Sequence, residues 1–156
     1  MTDPASTWSA GTDSVATGSA PVDPRTGPQT AVPVLDRFRM DGRVVVITGA
    51  SSGLGAGFAR AMSSAGATVV LAARRKDRLE SLAEELRSRG GTASTVACDV
   101  ADPDSCAAMV RAAMDEHGRV DVLVNNAGLG TAVPALKETP DQFRSVVDVN
   151  LNGAYW

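Results

Sequence analysis

The chain has 156 residues with 15 Lys and Arg against 18 Asp and Glu, a formal net charge of −3, and 44% of it is hydrophobic. That is enough apolar material for one domain with a packed core, and mild acidity without a Lys/Arg-rich run argues against a nucleic-acid partner. No apolar stretch approaches the ~20 residues of a membrane span, the N-terminus lacks the charged start and apolar core of a signal peptide, and a cytoplasmic location is expected by elimination.

Residues 1 to 33 are rich in Ser, Thr, Ala, Pro, Gly and Asp and hold five of the eight prolines. Such a segment cannot bury enough surface to offset its ordering entropy, so it reads as a disordered tail, with Trp8 an incidental exposed aromatic. Residues 34–156 then form the domain.

From Arg43 the pattern alternates. "RVVVIT" is a short β-branched run, suited to a strand buried on both faces. A helix follows from Gly53 to Ser64, with Leu54, Phe58, Ala61, Met62 and Ala65 along its expected apolar side. "ATVVLAA" is a second strand. In "KDRLESLAEELRSRGG", Leu79, Leu82, Ala83 and Leu86 have amphipathic helical spacing, and Gly90 and Gly91 end the helix. "TASTVAC" is a third strand. Asp102 at the N-cap, Pro103 at the first position and Gly118 past the end bracket a third helix. "VDVLVNN" is a fourth strand, and Thr139 and Gln142 have the spacing of a capping box that opens a last helix. The alternation predicts an α/β fold: a Rossmann-like, doubly wound parallel sheet with helices on both faces.

In such a sheet the ligand crevice lies beyond the carboxyl ends of the strands. The first strand ends at Thr48 and runs into "GASSGLG". Gly49, Gly53 and Gly55 allow a sharp turn and close backbone approach, and the following helix aims its positive end at the same point, so Gly49, Ser51, Ser52, Gly53, Leu54 and Gly55 are suited to hold a pyrophosphate. A P-loop is excluded, because no G-K-[ST] closes the motif. The position that reads an NAD ribose with a carboxylate is Ala73, and Arg74 and Arg75 follow it. A guanidinium pairs with a 2′-phosphate that a carboxylate would repel, which favours NADP(H) over NAD(H), with Arg74 ahead of Arg75.

Taken together, residues ~38 to 156 resemble the short-chain dehydrogenases/reductases through four motifs: "TGASSGLG" (48–55), "CDV" (98–100), "NNAG" (125–128) and "DVNLNG" (148–153). The resemblance implies that Asp99 and Val100 meet the adenine and that Asn126, Ala127 and Gly128 lie close to the cofactor. Asn125 reads as a structural tie between strand ends. Asn150 is implied as the family's active-site Asn.

The family's reaction is hydride transfer between a nicotinamide and a carbonyl or alcohol of a small-molecule substrate. It also implies a Ser and a Tyr-x-x-x-Lys, because a phenol of pKa ~10 is a poor base without a nearby cation. Neither has a counterpart here. Tyr155 has no Lys four residues on, and His117, beside Gly118, reads as a helix-end dipole contact. The domain is therefore expected to be C-terminally incomplete, inactive alone and marginal in stability. The other reading is a non-catalytic nucleotide-binding or interaction module. In the family the last helix lies at a subunit interface, which would make Phe143, Val146, Val147 and Leu151 the contact of a homo-oligomer. Cys98 and Cys106 read as small packing residues of a reducing compartment, and no metal is called for.

Overall fold

The computed structural model describes residues 33–156, so the segment read as a disordered tail lies, apart from Pro33, outside the described residues. A short 3-10 helix, Val34–Phe38, precedes the first strand. Four strands then form one parallel sheet: β1 (Val44–Thr48), β2 (Thr68–Ala73), β3 (Thr92–Ala97) and β4 (Val122–Val124), in the order β3-β2-β1-β4. Helices α1 (Gly53–Ser64), α2 (Lys76–Ser88) and α3 (Pro103–His117) make the crossovers, and α4 (Pro140–Val147) follows β4.

The two-residue period of the strands sorts their side chains into two cores. Val45, Ile47, Val69 and Leu71 face α1 and α2, where Leu79, Leu82, Ala83 and Leu86 are buried as their spacing predicts. Val44, Val46, Val70 and Ala72 face α3, against Cys106, Met109 and Ala113. The chain steps outward from β1 to β2 to β3 with its helices on one face, then crosses by α3 on the other face to β4. The strand order therefore reverses between β1 and β4, which opens a crevice at their carboxyl ends.

The caps read from the sequence are all present. Asp102 Oδ1 accepts from Asp104 N at 3.0 Å, and Gly118 closes α3 at φ 74°. Thr139 Oγ1 accepts from Gln142 N at 3.3 Å while Gln142 Oε1 accepts from Thr139 N at 2.9 Å. Beyond α4 the helical path continues through a π turn, Asp148–Asn152, into a last turn, α5 (Gly153–Tyr155).

Two expectations are corrected. Along α1, Leu54 is 76% exposed, Phe58 39%, and Ala61 is exposed as well; the side that meets the sheet is Gly55, Ala56 and Ala59, with Met62 against the core. Close approach of α1 to the sheet selects small residues, so the bulkier apolar stripe is turned outward. The fourth strand is also shorter than "VDVLVNN": only Val122–Val124 pair with β1, and Asn125 and Asn126 have already left the ladder.

At the amino ends of β1 and β4 a carboxylate joins the two strands. Asp121 Oδ2 accepts from Val44 N at 2.8 Å, and Oδ1 accepts from Arg43 at 3.0 Å and from Arg119. The Arg119 hydrogen bond first, then the Val44 N–H, hold this carboxyl well below the usual carboxylate range. His117 shares a 2.9 Å hydrogen bond with Ser94 on β3, so it ties the end of α3 to the sheet as well as lying at the helix terminus.

Candidate functional site

A cleft of about 480 Å³ lies over the carboxyl ends of the strands. β1 delivers Gly49, Ser51, Ser52, Leu54 and Gly55 to it; β2 delivers Ala73, Arg74 and Arg75. The exit of β3 supplies Cys98, Asp99 and Val100, and the exit of β4 supplies Asn126, Ala127 and Gly128. Of the residues read as cofactor-binding, only Gly53 does not line this cleft; it faces a shallower hollow on the α2 side, beside Arg60 and Arg78.

The loop after β1 is drawn tightly against the end of β4. Thr48, which is buried, donates through Oγ1 to Val124 O at 3.3 Å and accepts from the N–H groups of Asn126 at 3.1 Å and Ala127 at 3.0 Å. The Asn126 amide donates to Thr48 O at 2.9 Å and to Gly49 O at 3.4 Å. This proximity explains two glycines. Gly49 has φ 66°, and a Cβ there would lie 2.7 Å from Ala127 Cα. A Cβ at Gly55 would lie 2.5 Å from Gly49 O and from Asn126 Nδ2. The start of α1 can approach the strand ends only without side chains at both places.

The charge in the cleft is arranged by β2. Ala73 is buried and offers no carboxylate; Arg74 and Arg75 stand exposed at the rim. Arg74 has no hydrogen-bond or ion-pair partner among the described residues, whereas Arg75 Nη2 donates to Ser51 Oγ at 3.0 Å and to Ser52 Oγ at 3.2 Å. Ser52 is the N-cap of α1, and its hydroxyl makes no capping bond. The open N–H groups of α1, two serine hydroxyls and two guanidinium groups form a donor set that fits phosphate oxygens, and the positive end of α1 favours an anion there.

On the opposite wall, Asp99 Oδ1 accepts from Ala101 N at 3.1 Å, which shapes the turn but leaves the second carboxylate oxygen without a bond among the described residues. Cys98 and Cys106 are free, buried thiols, and burial pushes Cys98 up to about 11, so it lines the cleft as a neutral packing group. Gly153 is buried against this wall, where a Cβ would lie 2.9 Å from Val100 O; that close fit seats the end of the last helix on the Asp99–Val100 turn.

Asn150 does not line the cleft. Its Oδ1 accepts from Leu129 N and its Nδ2 donates to Leu129 O, both at 2.9 Å, so the amide clasps the loop that follows Gly128. Asn125 does not tie strand ends: its amide donates to Ala154 O in the last helical turn at 3.4 Å. Tyr155 is 83% exposed and stacks edge-on with Trp156, away from the cleft. On the last helix Phe143 and Leu151 are exposed, while Val146 and Val147 are half-buried. Sequence reasoning ranked Arg75 below Arg74 and missed Leu129 and Val149 as cleft residues; their places beside Gly128 and Asn150 were the available signal. Among the described residues no group of His, Cys, Asp and Glu could hold a metal, and no helix is long and apolar enough to cross a membrane.

Comparison with known proteins adds a family. Residues 43–156 match the family model for short chain dehydrogenases. The D-threitol dehydrogenase of Mycolicibacterium smegmatis is 38% identical over 118 residues, which are 76% of this chain and 45% of that protein. A metagenomic short-chain oxidoreductase solved in complex with NADP superposes with a TM-score of 0.70 at 42% identity, covering 74% of this chain and 53% of the other. A gluconate 5-dehydrogenase from Burkholderia cenocepacia, in complex with NADP and tartrate, gives 0.73 at 36% identity, covering 78% and 48%. The chain thus spans about half the length of these relatives.

Proposed function

The chain belongs to the short chain dehydrogenase family, and on that premise we propose that it holds NADP(H), in preference to NAD(H), for an oxidoreductase that acts on a carbonyl or alcohol group. The observation that carries this reading is the rim of the cleft at the end of β2. Ala73 stands where a ribose-reading carboxylate would discriminate against a 2′-phosphate, and Arg74 beside it has no partner among the described residues. A guanidinium free to make two parallel bonds suits a phosphate, and both solved relatives described above hold NADP.

The remaining residues divide the cofactor among them. The Gly49–Gly55 turn and the start of α1 would take the pyrophosphate. Asp99 and Val100 would meet the adenine, and Asn126, Ala127 and Gly128 would stand beside the ribose nearer the nicotinamide. Bound there, the nicotinamide supplies or accepts a hydride. The part assigned to this chain is to bind and orient the cofactor. Asn150 contributes by fixing the loop after Gly128 through its Leu129 clasp.

Titration of the 156-residue chain with NADPH and NADH tests the reading. NADPH is expected to bind more tightly, and Arg74→Asp is expected to reverse the order, with a swing on the order of 2 kcal/mol from charge-assisted bonds gained and lost. Equal affinities before and after the substitution would remove Arg74 from the site and with it the NADP(H) preference.

A further inference from the structure

Ser52 has the extended backbone of an N-cap residue, with φ −170° and ψ 173°, yet it does not cap α1. A serine here ordinarily accepts from the second or third helical N–H, in this chain Leu54 or Gly55. Asp102 and Thr139 do so at the starts of α3 and α4. The Ser52 hydroxyl instead accepts from Arg75, which reaches over from the end of β2 and takes Ser51 as well.

Two acceptors can satisfy the N-terminal N–H groups of α1: the helix's own serine or an anion in the cleft. They compete for the same donors. An exposed guanidinium–hydroxyl contact adds little to folding, so its effect lies in which acceptor the helix is left to find. We propose that Arg75 is a positioning residue that holds the Ser51 and Ser52 hydroxyls off α1, keeping its first N–H groups open to the pyrophosphate of a dinucleotide. This rests on the nucleotide-binding reading above. It separates the two arginines: Arg74 would meet the 2′-phosphate, whereas Arg75 would act on the half of the cofactor that NADH and NADPH share.

The test is a double-mutant cycle on the 156-residue chain. NADH is the probe, because it has no 2′-phosphate. Arg75→Gln should weaken NADH about fivefold, the size of an ordinary N-cap interaction that the freed Ser52 now makes. Ser52→Ala removes one hydroxyl of the donor set and should itself weaken NADH, but in that background Arg75→Gln should change NADH affinity by less than about twofold, because no Ser52 hydroxyl remains to compete. A purely structural arginine would show the same loss in both backgrounds. Ligand-free amide exchange gives a second readout: Leu54 and Gly55 should exchange more slowly in Arg75→Gln and return to the parent rate in the double variant. Unchanged NADH binding in Arg75→Gln, an equal loss from Arg75→Gln in the Ser52→Ala background, or a loss confined to NADPH each overturns the inference. A parent chain that binds neither nucleotide overturns the nucleotide reading itself, and unchanged exchange with intact parental binding overturns only the role of Arg75.

Discussion

β3 and β4 are both outer strands of the sheet, and among the described residues β3 is flanked by polar side chains of α2 and α3 that β4 lacks. All six β3 residues pair with β2. Arg87 donates twice to Ala93 O, at 2.9 and 2.7 Å, Glu80 accepts from Thr95 Oγ1 at 2.6 Å, and His117 bonds Ser94. β4 pairs at three positions, and Leu123 is 46% exposed. Among the described residues the same parallel ladder therefore ends in polar side chains on one side and in a half-exposed apolar strand on the other. Covered rims resist pairing with other chains and bare ones invite it. Stability is therefore expected from the α2 side of the sheet, with β4 the weaker rim.

The largest expected effect tests that assignment directly. Leu79 on α2 is fully buried against the β1–β2 core. Leu79→Ala should cost about 3 kcal/mol in denaturant unfolding, the transfer loss plus a cavity. Leu123→Ala should cost under about 1 kcal/mol, because half of its surface is already in water. Similar costs at the two positions would show that β4 is as tightly packed as the α2 side.

Next comes the seam between β1 and β4. Thr48→Val keeps the shape but removes one donor and an acceptor shared by two backbone N–H groups. A loss of about 2 kcal/mol is expected, because the Ala127 N–H is left in a partly buried place without a partner and the Asn126 N–H keeps only Val124 O. Amide exchange at Asn126 and Ala127 should accelerate with it. A stable variant with unchanged exchange would mean that strand pairing alone holds β4.

These positions also mark what the sequence revealed. Strand and helix order, the caps at Asp102 and Thr139, and the buried stripe of α2 were legible because each depends on local chemistry or on a short period. The packed face of α1 was not. Leu54 and Phe58 outrank Gly55, Ala56 and Ala59 in hydrophobicity, but the Thr48–Asn126 seam brings the strand ends within 2.5 Å of where a Gly55 Cβ would stand, and that distance is set by a segment 71 residues away in the chain. The arginine pair shows the same limit. Their place directly after β2 put Arg74 and Arg75 at one rim, while only side-chain placement shows that Arg75 is bonded to the serines. Asn150 was readable as a motif position, but its clasp on Leu129 depends on a loop fold that no local pattern encodes.

A smaller effect, visible through its pH dependence, is expected at Asp121, which anchors the amino end of β4 to that of β1. Its carboxyl is depressed in the folded chain, so its stabilisation is fully present above the unfolded value of about 3.9 and is lost as pH falls toward and through the folded value. Asp121→Asn should therefore lower Tm most near neutral pH, and the gap from the parent should narrow steadily below about pH 4. A gap that stays constant into acid would show that the carboxylate charge does not hold the strand.

The smallest effect on folding should come with a large effect on association. Leu123 lies in the middle of β4 and is exposed enough for a lysine to snorkel into water there. Leu123→Lys should change unfolding free energy by less than about 1 kcal/mol, since little buried surface is lost. A charge on a bare edge is nevertheless among the commonest ways that sheets avoid pairing with other chains. If the β4 rim drives self-association, light scattering across a concentration series should show the parent growing in mass while Leu123→Lys stays lower. Adding salt should narrow the difference, because lysine-bearing edges repel each other through water and that repulsion is screened. The matching change on the other outer strand, Thr95→Lys, should not reduce association, since Arg87 already occupies the Ala93 carbonyl there. Equal association of parent and Leu123→Lys, or equal relief from the two lysines, would show that the difference between the two outer strands has no consequence in solution.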